Sequence, residues 1–414
     1  MGVEKKTQYF SHLNGLVLSN NWGDMINLLD TCLVNGLTLP TINSVTIDEV
    51  GDVYLTFASA HKCMLFQLVK LNGFNPSAID GEYRIKGIPS ATQLILKAGL
   101  TDYSVSTNGT AALAPLGYDL VFTGINKRVY RSKDPTAQHP FIRIDETISD
   151  GTNSYTSTYA KYAMVGLIEN MTHIDDFEDT SKLQLPLDTT DLKKNWKITG
   201  TGASVVRGWS KWYWASYHQN AGANNPPAAG NRNFTFCGDK DAFYLFISPN
   251  MDLGRKTISG CGIYESALLT DTIPAWFLFA PVNSNNASTI DDPVKGRYPL
   301  LYGDAERKFV VPNYNVINRV NNHIYAVPIL PDNYTGMASA PMQNSSIAAL
   351  EIPFYDESSK LRGTLKHVCY AGNNISTLSA TTPMLADSSM YVADKGLSYG
   401  NNTGGVYFYL GELE

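Results

Sequence analysis

Ser44-Val45-Thr46-Ile47-Asp48-Glu49-Val50-Gly51-Asp52-Val53-Tyr54-Leu55-Thr56-Phe57 decides the fold class. Val45 and Ile47 alternate with polar neighbours, and Val53, Leu55 and Phe57 alternate again after Gly51-Asp52. Successive side chains of an extended chain point to opposite faces. Period-two patterning on both sides of a glycine turn therefore predicts a β-hairpin with one buried face. The same pattern continues outward. Leu65 and Leu68 follow, Asp80-Gly81 predicts a tight turn, Tyr83 and Ile85 alternate, and Leu94 and Leu96 close a small β domain near residue 100. The polar, small-residue stretch 101–113 reads as a linker or surface loop.

Strand patterning resumes beyond it. Leu120, Phe122 and Ile125 lead into Val129 and Tyr130, then come Phe141, Ile142 and Ile144, and then residues 162–168. Phe234 and Phe236 precede Phe243-Tyr244-Leu245-Phe246-Ile247, an unbroken apolar run that predicts a fully buried strand. Further strands are expected at 277–279, 300–302, 309–311, 324–329, 347–352 and 406–410. The loops between are rich in Asn, Ser, Gly and Pro, with 220–233 the extreme case. The chain shows no repeat of 20–50 residues and no heptads, which argues against solenoid, propeller and coiled-coil architectures.

One helix is expected near the start. Asn21 is placed to cap it, Trp22, Ile26, Leu29 and Leu33 follow at helical spacing with Met25 and Cys32 beside them, and Asn35-Gly36 offers a left-handed stop. Asp24 falls in the first turn, where the helix dipole favours a carboxylate. This broad apolar stripe packs on its own domain or docks onto a neighbouring subunit. The expected fold is mainly β, with sandwich-like β domains, long loops and one N-terminal amphipathic helix. Its expected parts are an N-terminal arm with the helix (1–44), a small β domain (45–100) and a larger β-sandwich-like region (101–414) of one or two subdomains.

Composition narrows the function. Of 414 residues, 32 are basic and 38 acidic, a net charge of −6, and charged residues make up 17% against about 25% in ordinary domains. Asparagine (33), glycine (33) and tyrosine (24) fill the gap, while 43% apolar residues suffice for a core. Disorder is excluded, a nucleic-acid partner is not expected without a basic excess, and no apolar run of 18 residues predicts membrane insertion. The first eleven residues lack the apolar core of a secretory signal. Cys32, Cys63, Cys237, Cys261 and Cys369 are odd in number, far apart and without a C-x-x-C pair, which predicts reduced, mostly buried thiols and folding in a reducing cytoplasm.

Motifs for chemistry are scarce. His173 stands near Asp175, Asp176, Glu178 and Asp179, a group that could bind a cation but matches no calcium-loop or zinc spacing and reads better as a solvated acidic loop. Gly260-Cys261-Gly262 reads as a tight strand with a buried thiol. Asp239 and Asp241, around Lys240, and Asp304 could serve a two-carboxylate glycosidase, yet each reads first as a turn residue. No catalytic residue, cofactor or metal is expected. The densest aromatic region holds Trp196, Trp209, Trp212, Tyr213, Trp214 and Tyr217. Trp212 and Trp214 share a face if the segment is a strand, and Tyr213 faces the other way. Such a cluster fills a core, forms a protein interface or stacks on sugar rings. The candidate interface or ligand residues are therefore Trp22, Ile26, Leu29, Trp209, Trp212, Tyr213, Trp214 and Tyr217.

Several phrases, in order along nearly the whole chain, resemble virion proteins of tailed bacteriophages. They are Asn21-Trp22-Gly23-Asp24-Met25-Ile26 running on to Leu33-Val34-Asn35-Gly36; Asp80-Gly81-Glu82-Tyr83-Arg84-Ile85, similar to a hairpin of small β modules on phage structural proteins; and Tyr118-Asp119-Leu120-Val121-Phe122-Thr123 with 126–132. Tyr162-Ala163-Met164-Val165-Gly166 with 169–172, Asp241-Ala242-Phe243-Tyr244-Leu245, Tyr298-Pro299-Leu300-Leu301-Tyr302-Gly303-Asp304 and Leu361-Arg362-Gly363 complete the series. The resemblance implies a non-enzymatic structural component of the tail, neck or baseplate. Such a part assembles in the host cytoplasm with copies of itself and other virion proteins, as a symmetric homo-oligomer. A receptor- or glycan-binding module for host surface glycan is the alternative, and a glycan hydrolase a weaker one.

Overall fold

The computed structural model describes residues 6–100, 104–105, 109–153, 157–202, 205–217, 225–268, 273–283, 294–295, 298–301, 307–314, 318–330, 349–372, 381–399 and 402–413. They are mainly β, with three antiparallel sheets, two two-stranded ribbons and one short α-helix. Of the expected features, residues 101–103 and 106–108 of the linker, 220–224 of the asparagine-rich loop, Tyr302, Asp304 and 347–348 lie outside the described residues.

The deciding hairpin forms as its pattern dictates. Ile42–Ile47 pairs antiparallel with Val53–Phe57, placing Val45 opposite Leu55 and Ile47 opposite Val53. The Asp48 carboxylate closes the turn by accepting the N–H groups of Val50 (3.1 Å) and Asp52 (2.8 Å). Gly51 adopts φ +87°, and a Cβ there would lie 2.4 Å from the Leu100 carbonyl oxygen. The N-terminal sheet has seven strands and reaches beyond the expected 45–100, because Thr110–Leu113 inserts between Leu37–Thr38 and Leu68–Asn72. Thr-Ala-Ala-Leu carries too little contrast to announce a strand. Asp80-Gly81 is not a tight turn. The Asp80 carboxylate instead closes the preceding loop, accepting from the N–H groups of Gly73 and Phe74, and Gly81 opens the strand Gly81–Ser90.

The middle sheet is built from Tyr118–Gly124, Lys127–Ser132, Phe141–Asp145 and Lys161–Ile168. Gln184–Leu185 and Lys211–Ala215 share the remaining edge of Lys161–Ile168. The large sheet takes its strands from residues 234–412 with one exception, since the N-terminal Gln8–Ser11 forms its edge against Phe234–Gly238. The expected N-terminal arm is thereby divided: Gln8–Ser11 belongs to the large sheet, and Leu37–Thr38 to the N-terminal one. Leu300 and Leu301 are buried but lie in a turn rather than a strand.

The run Phe243–Ile247 is apolar throughout because the strand Ala242–Ile247 separates two cores. Phe243, Leu245 and Ile247 pack with the N-terminal and middle sheets, while Ala242, Tyr244 and Phe246 enter a second core. That second core lies inside the large sheet itself. Ala242–Ile247 and Asn402–Glu412 stand seven strands apart, about 30 Å if the sheet were flat. Yet the rings of Tyr244 and Phe408 are 6.3 Å apart, so the sheet curls until its halves face each other.

Buried polar groups tie the layers together. Arg84 donates to the carbonyls of Thr7 and Phe66, both at 2.8 Å, linking the N-terminal sheet to the large one. Lys256 pairs with Asp394, both fully buried. Asp394 also accepts from Thr235 (2.7 Å), whose hydroxyl meets Thr381 (2.6 Å), which in turn meets Ser11 (3.2 Å). This chain of contacts runs from the last strands back to the first.

The helix is shorter than its apolar stripe suggests. Asp24–Leu29 is α-helical and continues as a π-helix over Asp30–Asn35. Asn21 does not cap it. Gly23 occupies the cap position, and the N–H groups of Gly23 and Ile26 donate instead to Glu146, from the end of the middle sheet. Gly36 ends the element at φ +73° and ψ 178°, an extended positive-φ conformation rather than the left-handed helical stop expected there.

Candidate functional site

The helix and the tryptophan-rich strand come together. Lys161–Ile168 and Lys211–Ala215 pair with Tyr162 opposite Tyr213, and these rings lie 4.8 Å apart. Trp22 meets Trp214 edge-on at 5.7 Å. Cations lie over two of these rings, Trp22 and Tyr162. Arg207 lies 4.8 Å from the Trp22 centroid and 4.5 Å from that of Tyr162, Lys161 sits 5.3 Å from Trp22, and Lys211 sits 4.8 Å from Tyr162. Burial pushes the Lys161 ammonium down to about 8, with the Arg232 guanidinium adding repulsion. Lys211 and Arg207 hold the Tyr162 phenol below its ordinary value despite its burial.

The candidate recognition residues divide sharply by exposure. Trp212 and Trp214 are buried on one side of their strand as the spacing predicts, with Trp212 Nε1 donating to the Phe279 carbonyl (2.8 Å). Trp209 is buried against His323 at 4.7 Å. Ile26 and Leu29 enter the chain's own core, and Trp22 and Tyr213 are half-buried. Tyr217 alone of the eight is exposed. The aromatic cluster thus joins layers of this chain, and its tryptophan faces are covered.

A second constellation surrounds Asp239 and Asp241, which form the turn between Phe234–Gly238 and Ala242–Ile247. Asp239 accepts from the Asp241 N–H (2.8 Å), the turn role expected of it. What no sequence spacing signals is the set of bases around them. His139 Nε2 lies 3.0 Å and Lys366 Nζ 2.8 Å from the two oxygens of Asp241, and His367 Nε2 lies 3.1 Å from Asp239. His139 Nδ1 accepts the Thr136 N–H (2.9 Å), which fixes the ring as a donor through Nε2. The turn opens on a cleft of about 290 Å³ lined by both aspartates, Glu265, Glu351, His367 and Tyr409.

The His139 and Lys366 contacts hold the Asp241 carboxyl well below the usual range. Burial pushes Asp239 up, but His367 and the turn N–H outweigh it and the net direction is down. A glycosidase acid needs the opposite, a carboxyl kept protonated near neutrality. This geometry suits an ionic junction joining the hairpin turn, the strand Leu361–Tyr370 and the loop at His139.

The remaining sequence candidates are absorbed locally. Asp175 pairs with Lys127 and Arg143, Asp176 with Lys182, and Glu178 with Lys193. No group of three metal-ligating side chains occurs among the described residues. Cys261 is buried in the strand Thr257–Ile263, where desolvation pushes its thiol up. All five cysteines are free, four buried and Cys369 half-buried in the cleft wall. No helix among the described residues is long and apolar enough to cross a membrane.

No protein-family model matches the chain, and no curated protein matches it.

Proposed function

We propose that this chain is a non-enzymatic structural component of a tailed-bacteriophage virion, placed in the tail, neck or baseplate and working through protein–protein interfaces with copies of itself and other virion proteins. The ordered resemblance along the sequence motivates the reading. The observation that carries it is the closure of the chain on itself. The N-terminal strand completes a sheet otherwise made from residues 234–412, and Arg84 and the Lys256–Asp394 pair lock the layers from inside. The low charge fits surfaces covered by neighbours, since fewer ions need to be desolvated there. Burial of Trp209, Trp212 and Trp214 weighs against the glycan-binding alternative.

Mass spectrometry of density-gradient-purified particles tests the reading. The chain is expected at a fixed, multiple copy number per particle that survives high salt. Its absence from intact particles, with abundant free protein in the lysate, would overturn it.

A further inference from the structure

We propose that Glu146 is a proton-responsive clamp that sets how tightly the N-terminal helix is held against the middle sheet. Glu146 follows the strand Phe141–Asp145 directly, and its own N–H bonds to the Asn126 carbonyl, so its backbone belongs to the sheet. Its side chain is fully buried and crosses to the helix. One carboxyl oxygen accepts from Gly23 N–H and the other from Ile26 N–H at 2.8 Å. The first turn has no side-chain cap of its own, so this distant carboxyl takes the role a local cap normally fills.

The groups facing it come from every side. Asp24 lies on the helix and Arg207 on the strand Val206–Arg207. Tyr130, on Lys127–Ser132, feels its charge, and that phenol is bonded to Asp30 (2.7 Å), which also pairs with Arg128 (3.1 Å). Burial pushes the Glu146 carboxyl up to about 7, against the two N–H donors and Arg207, which favour the charged form. Once the helix leaves, the group returns to an ordinary value of about 4.3. The docked state therefore keeps a proton that the released state gives up between these two values. Docking is tightest below about pH 4.5, weakens about tenfold per pH unit as pH rises towards 7, and levels off above it. This device concerns the chain alone and stands whether or not the chain belongs to a virion.

Two measurements on the full chain test it. The side-chain carboxyl 13C resonance of Glu146 is expected to titrate near pH 7, and a midpoint near 4.3 would overturn the proposal. Exchange protection of the Gly23 and Ile26 amides, corrected for intrinsic rates, is expected to fall about 40-fold from pH 5 to pH 7. Glu146→Gln should abolish that fall, and Lys161→Met, which removes the other titrating group beside Trp22, should leave it intact. A fall that persists in Glu146→Gln, or disappears in Lys161→Met, would assign the effect elsewhere and overturn the clamp. Should Glu146→Gln fail to fold, the wild-type 13C midpoint decides alone.

Discussion

Asp394→Asn is the sharpest perturbation of the closed architecture. The change keeps size and shape but removes the charge opposite Lys256, whose side chain has no exposure. Breaking a buried pair from one side leaves an uncompensated ion and costs about 3–5 kcal/mol. The amide also turns one acceptor into a donor beside either the Lys256 ammonium or the Thr235 hydroxyl, both of which now point at an oxygen. The double variant Lys256→Met/Asp394→Leu removes both charges. It leaves the Thr235 hydroxyl without that acceptor, a loss of about 1 kcal/mol, so it is expected to be more stable than the single variant. Urea unfolding followed by far-UV circular dichroism measures both. Hydrogen exchange over Gln8–Ser11 adds the local reading, since the contacts continue through Thr381 to Ser11. A single-variant cost under about 1 kcal/mol, or a double variant as unstable as the single, would refute the reasoning.

Other consequences are equally direct. Trp212→Ala removes a buried indole and its bond to Phe279. It is expected to cost about 3–5 kcal/mol in thermal or urea unfolding, whereas Tyr217→Ala, at an exposed position, should stay within about 0.5 kcal/mol; equal costs would contradict the core assignment. Asp176, paired with Lys182, and Asp188, whose Thr190 and Lys194 contacts outweigh its burial, are both held at about 2. Their folded-state values lie below the unfolded ones, so the stability they add is present above about pH 4 and is lost as pH falls towards 2. An unfolding midpoint that stays flat from pH 5 to pH 2 would contradict this. Burial pushes Cys63 up to about 12 and raises Cys32, Cys237 and Cys261 as well. Ellman's reagent is thus expected to titrate one thiol quickly in the native chain, Cys369, and five in denaturant. Two or more fast native thiols would show the cores to be looser than described.

The sequence spoke clearly where burial is one-sided or complete. The Val45 to Phe57 alternation became the hairpin, and the Phe243 to Ile247 run the buried strand, that their patterns demanded. It was silent where charges point inward. Leu361–Tyr370 and Ser389–Tyr399 are long strands, yet Arg362 and Asp394 occupy buried positions that a hydropathy pattern reads as solvent-facing. Their partners, Asp356 and Lys256, supply the missing logic only in space. The site shows the same limit. The turn role of Asp239 was legible from local chemistry, but His139, Lys366 and His367 stand about 100 or more residues away in sequence. The helix cap shows it too, since Asn21 was the local choice and Glu146 the actual one. The aromatic segment 209–217 read equally well as core or binding surface, because a tryptophan looks the same in either place until its neighbours are known.

Cryo-electron microscopy of purified tailed-phage particles from cells that produce this chain tests the proposed virion role most directly. The expected result is symmetric density in the tail, neck or baseplate into which the curled sheet, with Gln8–Ser11 at its edge, fits in each copy. A complete reconstruction whose density is fully assigned to other chains would contradict it.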